Sequence, residues 1–447
     1  MDGMTTKIQR WLSQSNDIVL TLWASVAAFS CYFSMYAFRK PFTAATYDDM
    51  SFWGMDYKII LVVSQVLGYM LSKFIGIKVI SEMTAKNRPL SILCLIGFAE
   101  LALLGFALVP KPYNIVCLFF NGLPLGLIWG IVFSFLEGRR QTEVMGAGLA
   151  ASFILASGVS KSIGKTLILD YQIPTFWMPF ATGALFIVPL LISVWMLSQI
   201  PTPSVLDEKM RSKRSPMNGK ERKILFKRYV WGLVPLTVFY FMLTAFRDFR
   251  DNFIVEIWAD LGYNNASILT TAEIPITIFV LIIVGLTVFI KDNATAFWVN
   301  HLAIMSGCAV VMLSTFLYEN HWISPVSWMI SVGFGLYLAY ILYQSLIFDR
   351  LLATFREVGN AGFLMYVADA FGYLGSVSIL FLKNFGAKKM AWSAFFIQAS
   401  FIVSFAGIVL VFMSFFYFYQ KYEYRKISFH TDDMILNFDK KDMKTTV

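Results

Sequence analysis

The sequence predicts an all-α membrane protein in which twelve transmembrane helices form two pseudo-symmetric six-helix bundles. The first observation is the composition, because 57% of the 447 residues are hydrophobic and only 15% are charged, unlike an average soluble domain. The second is that apolar stretches of about 20 residues, long enough to cross a bilayer, recur along the chain. The third is one long polar break, with six such stretches on each side of it.

Each apolar stretch is predicted to be a helix, because lipid offers backbone groups no hydrogen-bond partner outside a helix or a closed barrel. The first six predicted spans lie near residues 18–44, 57–81, 89–109, 113–136, 145–169 and 174–199. The second six lie near residues 229–253, 266–290, 295–317, 323–348, 359–382 and 390–420.

The polar break divides the chain into predicted units. Residues 1–200 form the first six-helix bundle and residues 229–420 the second. Residues 201–228 between them are basic and contain proline, which is typical of a cytoplasmic linker. Residues 421–447 are charged and are predicted to be a cytoplasmic tail.

Lysine and arginine are distributed unevenly among the loops. Nine of them fall between Lys209 and Arg228, whereas loops 109–114, 170–174 and 318–322 contain one lysine in total. The positive-inside rule therefore predicts that both termini are cytoplasmic, although the lysines at 383, 388 and 389 disagree.

The net charge of +9 follows from this topology and does not require a nucleic-acid partner. We expect a monomer in a cell inner membrane, whose partners are the lipid bilayer and a small anionic substrate.

The two predicted halves share a motif in their first spans. Residues 32–42 read YFSMYAFRKPF and residues 240–250 read YFMLTAFRDFR, so Tyr, Phe, Ala, Phe and Arg coincide without a gap. Such a match is what a duplicated bundle would leave, and it pairs Arg39 with Arg247. Charged residues within spans are costly and are often functional. Chance similarity of Phe-rich helices, and snorkelling of each arginine to the interface, remain alternatives.

Other polar side chains lie within the predicted spans, and cations outnumber acids on the helices expected to line the central axis. An electropositive cavity suited to an anion follows. The predicted substrate-binding residues are Arg39, Arg247, Lys73, Lys161, Tyr36 and Tyr340. The candidates for coupling or gating are Asp369, Glu100, Arg250 and Asp251, and Arg250 is also a rival to Arg247 as the site arginine.

Enzyme chemistry is not expected. The four cysteines all fall within predicted spans and lack the spacing of a metal or redox centre. The three histidines are isolated from one another, and no hydrolase motif is present. We therefore expect no catalytic residue, no metal and no cofactor.

Several segments resemble a known family: MYAFRKPF (35–42), GYMLSKFIGIKVIS (68–81), NGLPLGLIWG (121–130), FILASGVSKSIG (153–164) and GNAGFLMYVADAFGYLGS (359–376). The chain resembles the major facilitator superfamily, and within it the organophosphate:phosphate antiporters that carry glycerol 3-phosphate or hexose phosphates. The resemblance implies two six-helix bundles with a substrate phosphate held between Arg39 and Arg247, near Lys73.

Two departures from that family limit the transfer. The loop SEMTAKNRP (81–89) lacks the usual Asp-Arg pair, and Ser157 stands where the phosphate transporters carry a histidine, with Lys161 one turn later. We expect a secondary transporter of a small organic anion, most simply a phosphorylated metabolite, working by exchange with phosphate or by uptake. A proton-coupled symporter of another solute and a non-transporting sugar-phosphate receptor remain alternatives.

Overall fold

The computed structural model describes residues 7–136, 139, 141–203, 219–287, 289–357, 361–387 and 390–442. Most of these residues are helical, and the exception among regular elements is a two-stranded antiparallel hairpin of Ser51–Phe52 and Met55–Asp56. The predicted all-α class is confirmed for this part of the chain.

Among the described residues, the first half contains eight α-helices and two short 3₁₀ helices, Pro41–Ala44 and Ala85–Asn87. The α-helices are α1 (Lys7–Gln14), α2 (Asp17–Ala37), α3 (Tyr57–Glu82), α4 (Arg88–Leu108), α5 (Ile115–Leu136), α6 (Thr142–Leu169), α7 (Met178–Leu185) and α8 (Ile187–Ser198).

In the described part of the second half there are nine α-helices and two π-helical turns, Tyr343–Ile347 and Leu382–Gly386. The α-helices are α9 (Gly219–Asn252), α10 (Ile254–Asp260), α11 (Ile268–Thr271), α12 (Glu273–Thr287), α13 (Asn293–Glu319), α14 (Pro325–Leu342), α15 (Phe348–Thr354), α16 (Ala361–Phe381) and α17 (Trp392–Asp442). Helix α9 is kinked at Tyr229.

The helices form a multi-pass membrane protein, but the count of twelve spans is not confirmed. Within the described ranges, eight helical segments are long and apolar enough to cross a membrane, and α7 with α8, bent by 44°, would make a ninth. Helices α3, α6 and α16 occupy the other three predicted positions. Lysines within α3 and α6, such as Lys73 and Lys161, lower the hydropathy of these two helices.

Helix α2 ends within the motif YFSMYAFRKPF (32–42). Asn16 caps its start by accepting a hydrogen bond from the Val19 amide at 2.9 Å. The helix ends at Ala37, and Pro41, which cannot donate a backbone hydrogen bond, begins the 3₁₀ helix that follows. Arg39 therefore lies in a turn between α2 and the 3₁₀ helix rather than within a continuous helix.

Helices α3 and α5 approach each other closely because glycines face the contact. A Cβ atom added at Gly122 would lie 2.2 Å from the Gln65 carbonyl oxygen, and one at Gly68 would lie 2.1 Å from the Phe119 carbonyl oxygen. Small residues at such crossings allow backbones to pack together in membrane proteins. This contact positions the polar face of α3 beside the turn that carries Arg39.

Replacing Gly122 by alanine should destabilise the protein by about 1–3 kcal/mol, because the added methyl group overpacks a backbone contact. Gly97 is the matched control, since a Cβ atom there meets nothing within 4 Å. Gly97→Ala should leave the melting temperature in detergent unchanged or slightly higher, as alanine favours helix. Equal melting temperatures for the two variants would contradict the close α3–α5 packing.

Candidate functional site

Arg39 lies inside the protein, and no carboxylate of the described residues pairs with it. Its guanidinium carbon is 3.9 Å from the centre of the Tyr69 ring and 5.8 Å from that of Tyr36, and the residue is 8% exposed. No carboxylate of the described residues lies within ion-pair distance of Arg39, and its Nε atom has no hydrogen-bond partner there. A buried cation in this condition favours the arrival of an anion, because its desolvation is otherwise uncompensated.

Arg247, the partner of Arg39 in the sequence repeat, has similar surroundings with one difference. Its guanidinium carbon lies 4.1 Å from the centre of the Tyr340 ring. Its Nε and Nη2 atoms donate to Asp248 Oδ1 at 3.0 and 2.6 Å. Asp248 also accepts a hydrogen bond of 2.5 Å from the Ser376 hydroxyl. Both arginines thus stack on tyrosine, but Arg247 already holds a carboxylate.

Lys73 is joined to the Arg39 site through Tyr69. Gln65, Tyr69 and Lys73 follow one another at four-residue spacing on α3, so their side chains share one face of the helix. Lys73 Nζ lies 5.3 Å from the centre of the Tyr69 ring and 5.9 Å from that of Trp129. Tyr69 therefore contacts two cations, Arg39 and Lys73.

Lys161 contacts the second half through Asp251. Its Nζ atom lies 2.6 Å from Asp251 Oδ1, and the Ser157 hydroxyl donates to the same oxygen. Lys40 Nζ lies 2.5 Å from Asp251 Oδ2 and donates to Asn252 Oδ1 at 2.9 Å. One carboxylate of the second half thus binds two lysines of the first.

A second buried pair joins the halves close to this one. Lys58 Nζ pairs with Glu256 and donates to the Thr43 carbonyl at 2.7 Å. We call the region around Lys40, Lys58, Asp251 and Glu256 the Lys40 end of the molecule. The two halves are held together there by charge pairs buried in the protein.

The two rival arginines of α9 have different surroundings. Arg250 is 1% exposed, and its Nη2 atom donates to Glu273 Oε1 at 2.8 Å and to the Met329 carbonyl at 3.5 Å. All three residues belong to the second half, so Arg250 is engaged within that half.

Both Arg39 and Arg247 are largely buried by protein, which does not fit snorkelling to a lipid interface.

The remaining candidate residues fall in two places. Tyr240 donates to Asp369 Oδ1 at 2.8 Å, and its hydroxyl oxygen lies 3.2 Å from that of Tyr340, which places Asp369 beside the Arg247 site. Glu100 lies against Gly183 of α7, and neither of its carboxylate oxygens has a hydrogen-bond partner among the described residues. The structure thus does not join Glu100 to the other candidates by a hydrogen bond.

Eight ionisable residues make up what we call the central charge cluster. They interact electrostatically with one another directly or through a shared tyrosine, and the neighbouring Lys58–Glu256 and Arg250–Glu273 pairs, each neutral in itself, are not counted with them. They are Arg39, Lys40, Lys73, Lys161, Arg247, Asp248, Asp251 and Asp369.

Sequence reasoning missed several residues of this region. Lys40 is visible as a charge at the end of an apolar run, but the repeat assigned it no role, because its counterpart there is Asp248. Tyr69 could have been found from its position one helical turn before Lys73. Glu273 is visible as an acid within the predicted span 266–290, but its role as the partner of Arg250 required the fold. In the described ranges, no group of three or more His, Cys, Asp or Glu could hold a metal ion.

The model of a family of unknown function, DUF5690, matches residues 41–421. The chain belongs to this family. No curated protein matches the chain.

The structure of this DUF5690 member is similar to a bacterial homologue of the human drug peptide transporters PepT1 and PepT2. The TM-score is 0.59 at 12% sequence identity, over 91% of this chain and 100% of the other. At that identity the likeness shows the fold, which is like that of the major facilitator superfamily. The branch of the superfamily is not determined by this match.

Replacing Asp251 by asparagine should destabilise the protein by about 3–5 kcal/mol, because Lys40 and Lys161 would keep buried charges without their carboxylate. Asp292→Asn is the matched control, since exposed Asp292 accepts from the Thr295 amide at the start of α13 and asparagine caps a helix equally well. Melting temperatures in detergent measure the difference. An Asp251→Asn protein as stable as the control would show that the pairing does not hold the halves together.

Proposed function

We propose that this DUF5690 protein is a secondary transporter of a small organic anion that carries a phosphate group, moved by alternating access between the two bundles. The major facilitator-like fold supports transport, because such folds bind substrate between two halves that rock about it. Exchange with phosphate, as in the organophosphate:phosphate antiporters, is the form of transport we favour.

The observation that carries the proposal is the charge of the central cluster. The cluster contains five cations and three carboxylates, so its formal charge is +2 when every group is ionised. A phosphate monoester carries about 1.5 to 2 negative charges at pH 7. Its binding would therefore bring the cluster close to neutrality in a region of low dielectric.

The side chains suit phosphate in geometry as well as in charge. Arginine presents a planar fork that makes paired hydrogen bonds to phosphate, whereas lysine acts as a point charge. Arg39 has its donors unclaimed by any carboxylate of the described part, and Arg247 could exchange Asp248 for the substrate. Tyr36 and Tyr373 interact electrostatically with both arginines. Their rings would therefore border the body of a substrate whose phosphate both arginines hold.

A peptide substrate fits this cluster less well. The structurally similar bacterial protein is described as a homologue of peptide transporters. A peptide backbone bears one positive and one negative terminus, and it would leave the two excess positive charges of this cluster uncompensated. We therefore favour an anion over a zwitterion.

Arg39→Lys should weaken binding of phosphate esters by at least tenfold, because lysine keeps the charge but loses the paired hydrogen bonds. Thermal stabilisation of the purified protein by glycerol 3-phosphate, glucose 6-phosphate, succinate and a neutral sugar measures the preference. Flux of the binding anion into phosphate-loaded proteoliposomes then separates a transporter from a receptor.

Arg228→Lys is the matched control, since exposed Arg228 bonds Glu357 at 2.9 Å and belongs to no part of the central cluster. The control should bind anions as the unmodified protein does. If a neutral solute stabilises the protein and no anion does, the proposed function is wrong.

Asp369 supports a second function, proton-coupled symport. Its carboxylate accepts a hydrogen bond from Tyr240, interacts electrostatically with Lys73 and Arg247, and could carry a proton between the bundles. If transport is proton-coupled, Asp369→Asn should abolish the response of flux to an imposed pH gradient while substrate exchange continues. Flux that depends on phosphate on the opposite side, and not on the gradient, would favour the exchanger.

A further inference from the structure

The turn that carries Arg39 follows the last residue of α2. The helix ends at Ala37, and the amides of Arg39 and Lys40 both donate to the Tyr36 carbonyl, at 3.0 and 2.9 Å. The last carbonyls of a helix have no partner within the helix and need another donor when they are buried. The carbonyls of Phe38 and Arg39 are in this position, and the direction of the Arg39 side chain depends on how they are held.

Two buried side-chain amides supply the donors. Asn121 Nδ2 donates to the Phe38 carbonyl at 2.9 Å and to the Ala99 carbonyl at 3.0 Å. Gln65 Nε2 donates to the Arg39 carbonyl at 2.8 Å and to Asn121 Oδ1 at 2.7 Å. Gln65 is 3% exposed and Asn121 is fully buried, so water does not compete for these hydrogen bonds.

The packing of α3 against α5 explains why the two amides meet. Gly122 follows Asn121 on α5, and a Cβ atom there would lie 2.2 Å from the Gln65 carbonyl oxygen, so the two backbones are almost in contact. Helix α3 also carries Tyr69 one turn after Gln65. The same helix thus holds the backbone of Arg39 through Gln65 and the guanidinium of Arg39 through the Tyr69 ring.

We propose that Gln65 and Asn121 are positioning residues for anion binding, which fix the Arg39 turn so that its guanidinium waits, already stacked, for the substrate. This inference rests on the proposed function. Neither amide has a hydrogen bond to the guanidinium itself among the described contacts, so they act through the backbone of Arg39. Charge that is oriented before the ligand arrives binds it without a cost of reorganisation.

Gln65→Met is the sharpest change, because methionine keeps the length of the side chain but has no N–H donor. We expect the dissociation constant for inorganic phosphate, measured by calorimetry on the purified protein, to rise at least tenfold. Asn114→Leu is the matched control. Asn114 is a buried amide of the same half that contacts Tyr57 and donates to the Phe106 carbonyl at 3.5 Å, and none of its described hydrogen bonds goes to the Arg39 turn. The control should lower the melting temperature and leave the dissociation constant unchanged.

A double-mutant cycle with Arg39→Lys separates positioning from simple loss of structure. If Gln65 acts through Arg39, Gln65→Met should cost tenfold in the unmodified protein but less than twofold in the Arg39→Lys background. Equal fold-changes in both backgrounds would overturn the inference and leave the proposed function intact.

Two further outcomes are also decisive. Absence of anion binding by the unmodified protein would overturn the proposed function itself, and this inference with it. If Gln65→Met does not fold, Gln65→Asn, which keeps the donors but is one methylene shorter, enters the same cycle with the same expected non-additivity.

Discussion

Pairing of buried positive charge is the constraint on which the rest of this structure depends. Each buried cation in a low-dielectric protein must be matched by an anion or by dipoles, or its desolvation is uncompensated. Here Lys40 and Lys161 share Asp251, Lys58 pairs with Glu256, and Arg250 pairs with Glu273. Arg39 is a buried cation with no carboxylate within ion-pair distance among the described residues, and it is stabilised by a tyrosine ring instead.

The same pairs close one end of the molecule. Asp251 and Glu256 belong to the second half, whereas the lysines that bind them belong to the first, so these pairs must break if the halves separate at the Lys40 end. A substrate anion bound at Arg39 would lie beside the next residue, Lys40. It would compete with Asp251 for the positive charge of Lys40. Binding and opening are thus coupled by electrostatics in the proposed transport cycle.

The two halves repeat a motif but use it differently. Arg39 and Arg247 are both stacked on tyrosine, at 3.9 and 4.1 Å, although the two rings, Tyr69 and Tyr340, lie outside the aligned segments. The residue after each arginine breaks the symmetry, because Lys40 reaches across to the other half and Asp248 folds back on Arg247. The first half therefore contributes excess positive charge and the second contributes the acids that restrain it.

The sequence by itself determined the class of the protein, the helical nature of its spans and the positions of the arginines within those spans. These follow from local properties, since a run of apolar residues in lipid must be helical and a charge within such a run is costly. It did not settle the number of spans, and the twelve that it predicts remain a prediction beside the eight or nine that the described helices support by length and hydropathy.

Only the tertiary structure decided which charges are matched and which is not. Lys40 and Asn252 are 212 positions apart in the chain, and Gln65 lies 56 positions from Asn121, so no local pattern relates them. The rivalry between Arg247 and Arg250 likewise could not be judged from α9 alone, because Glu273 lies on another helix. Pairing depends on distances between helices, and these exist only once the helices are packed.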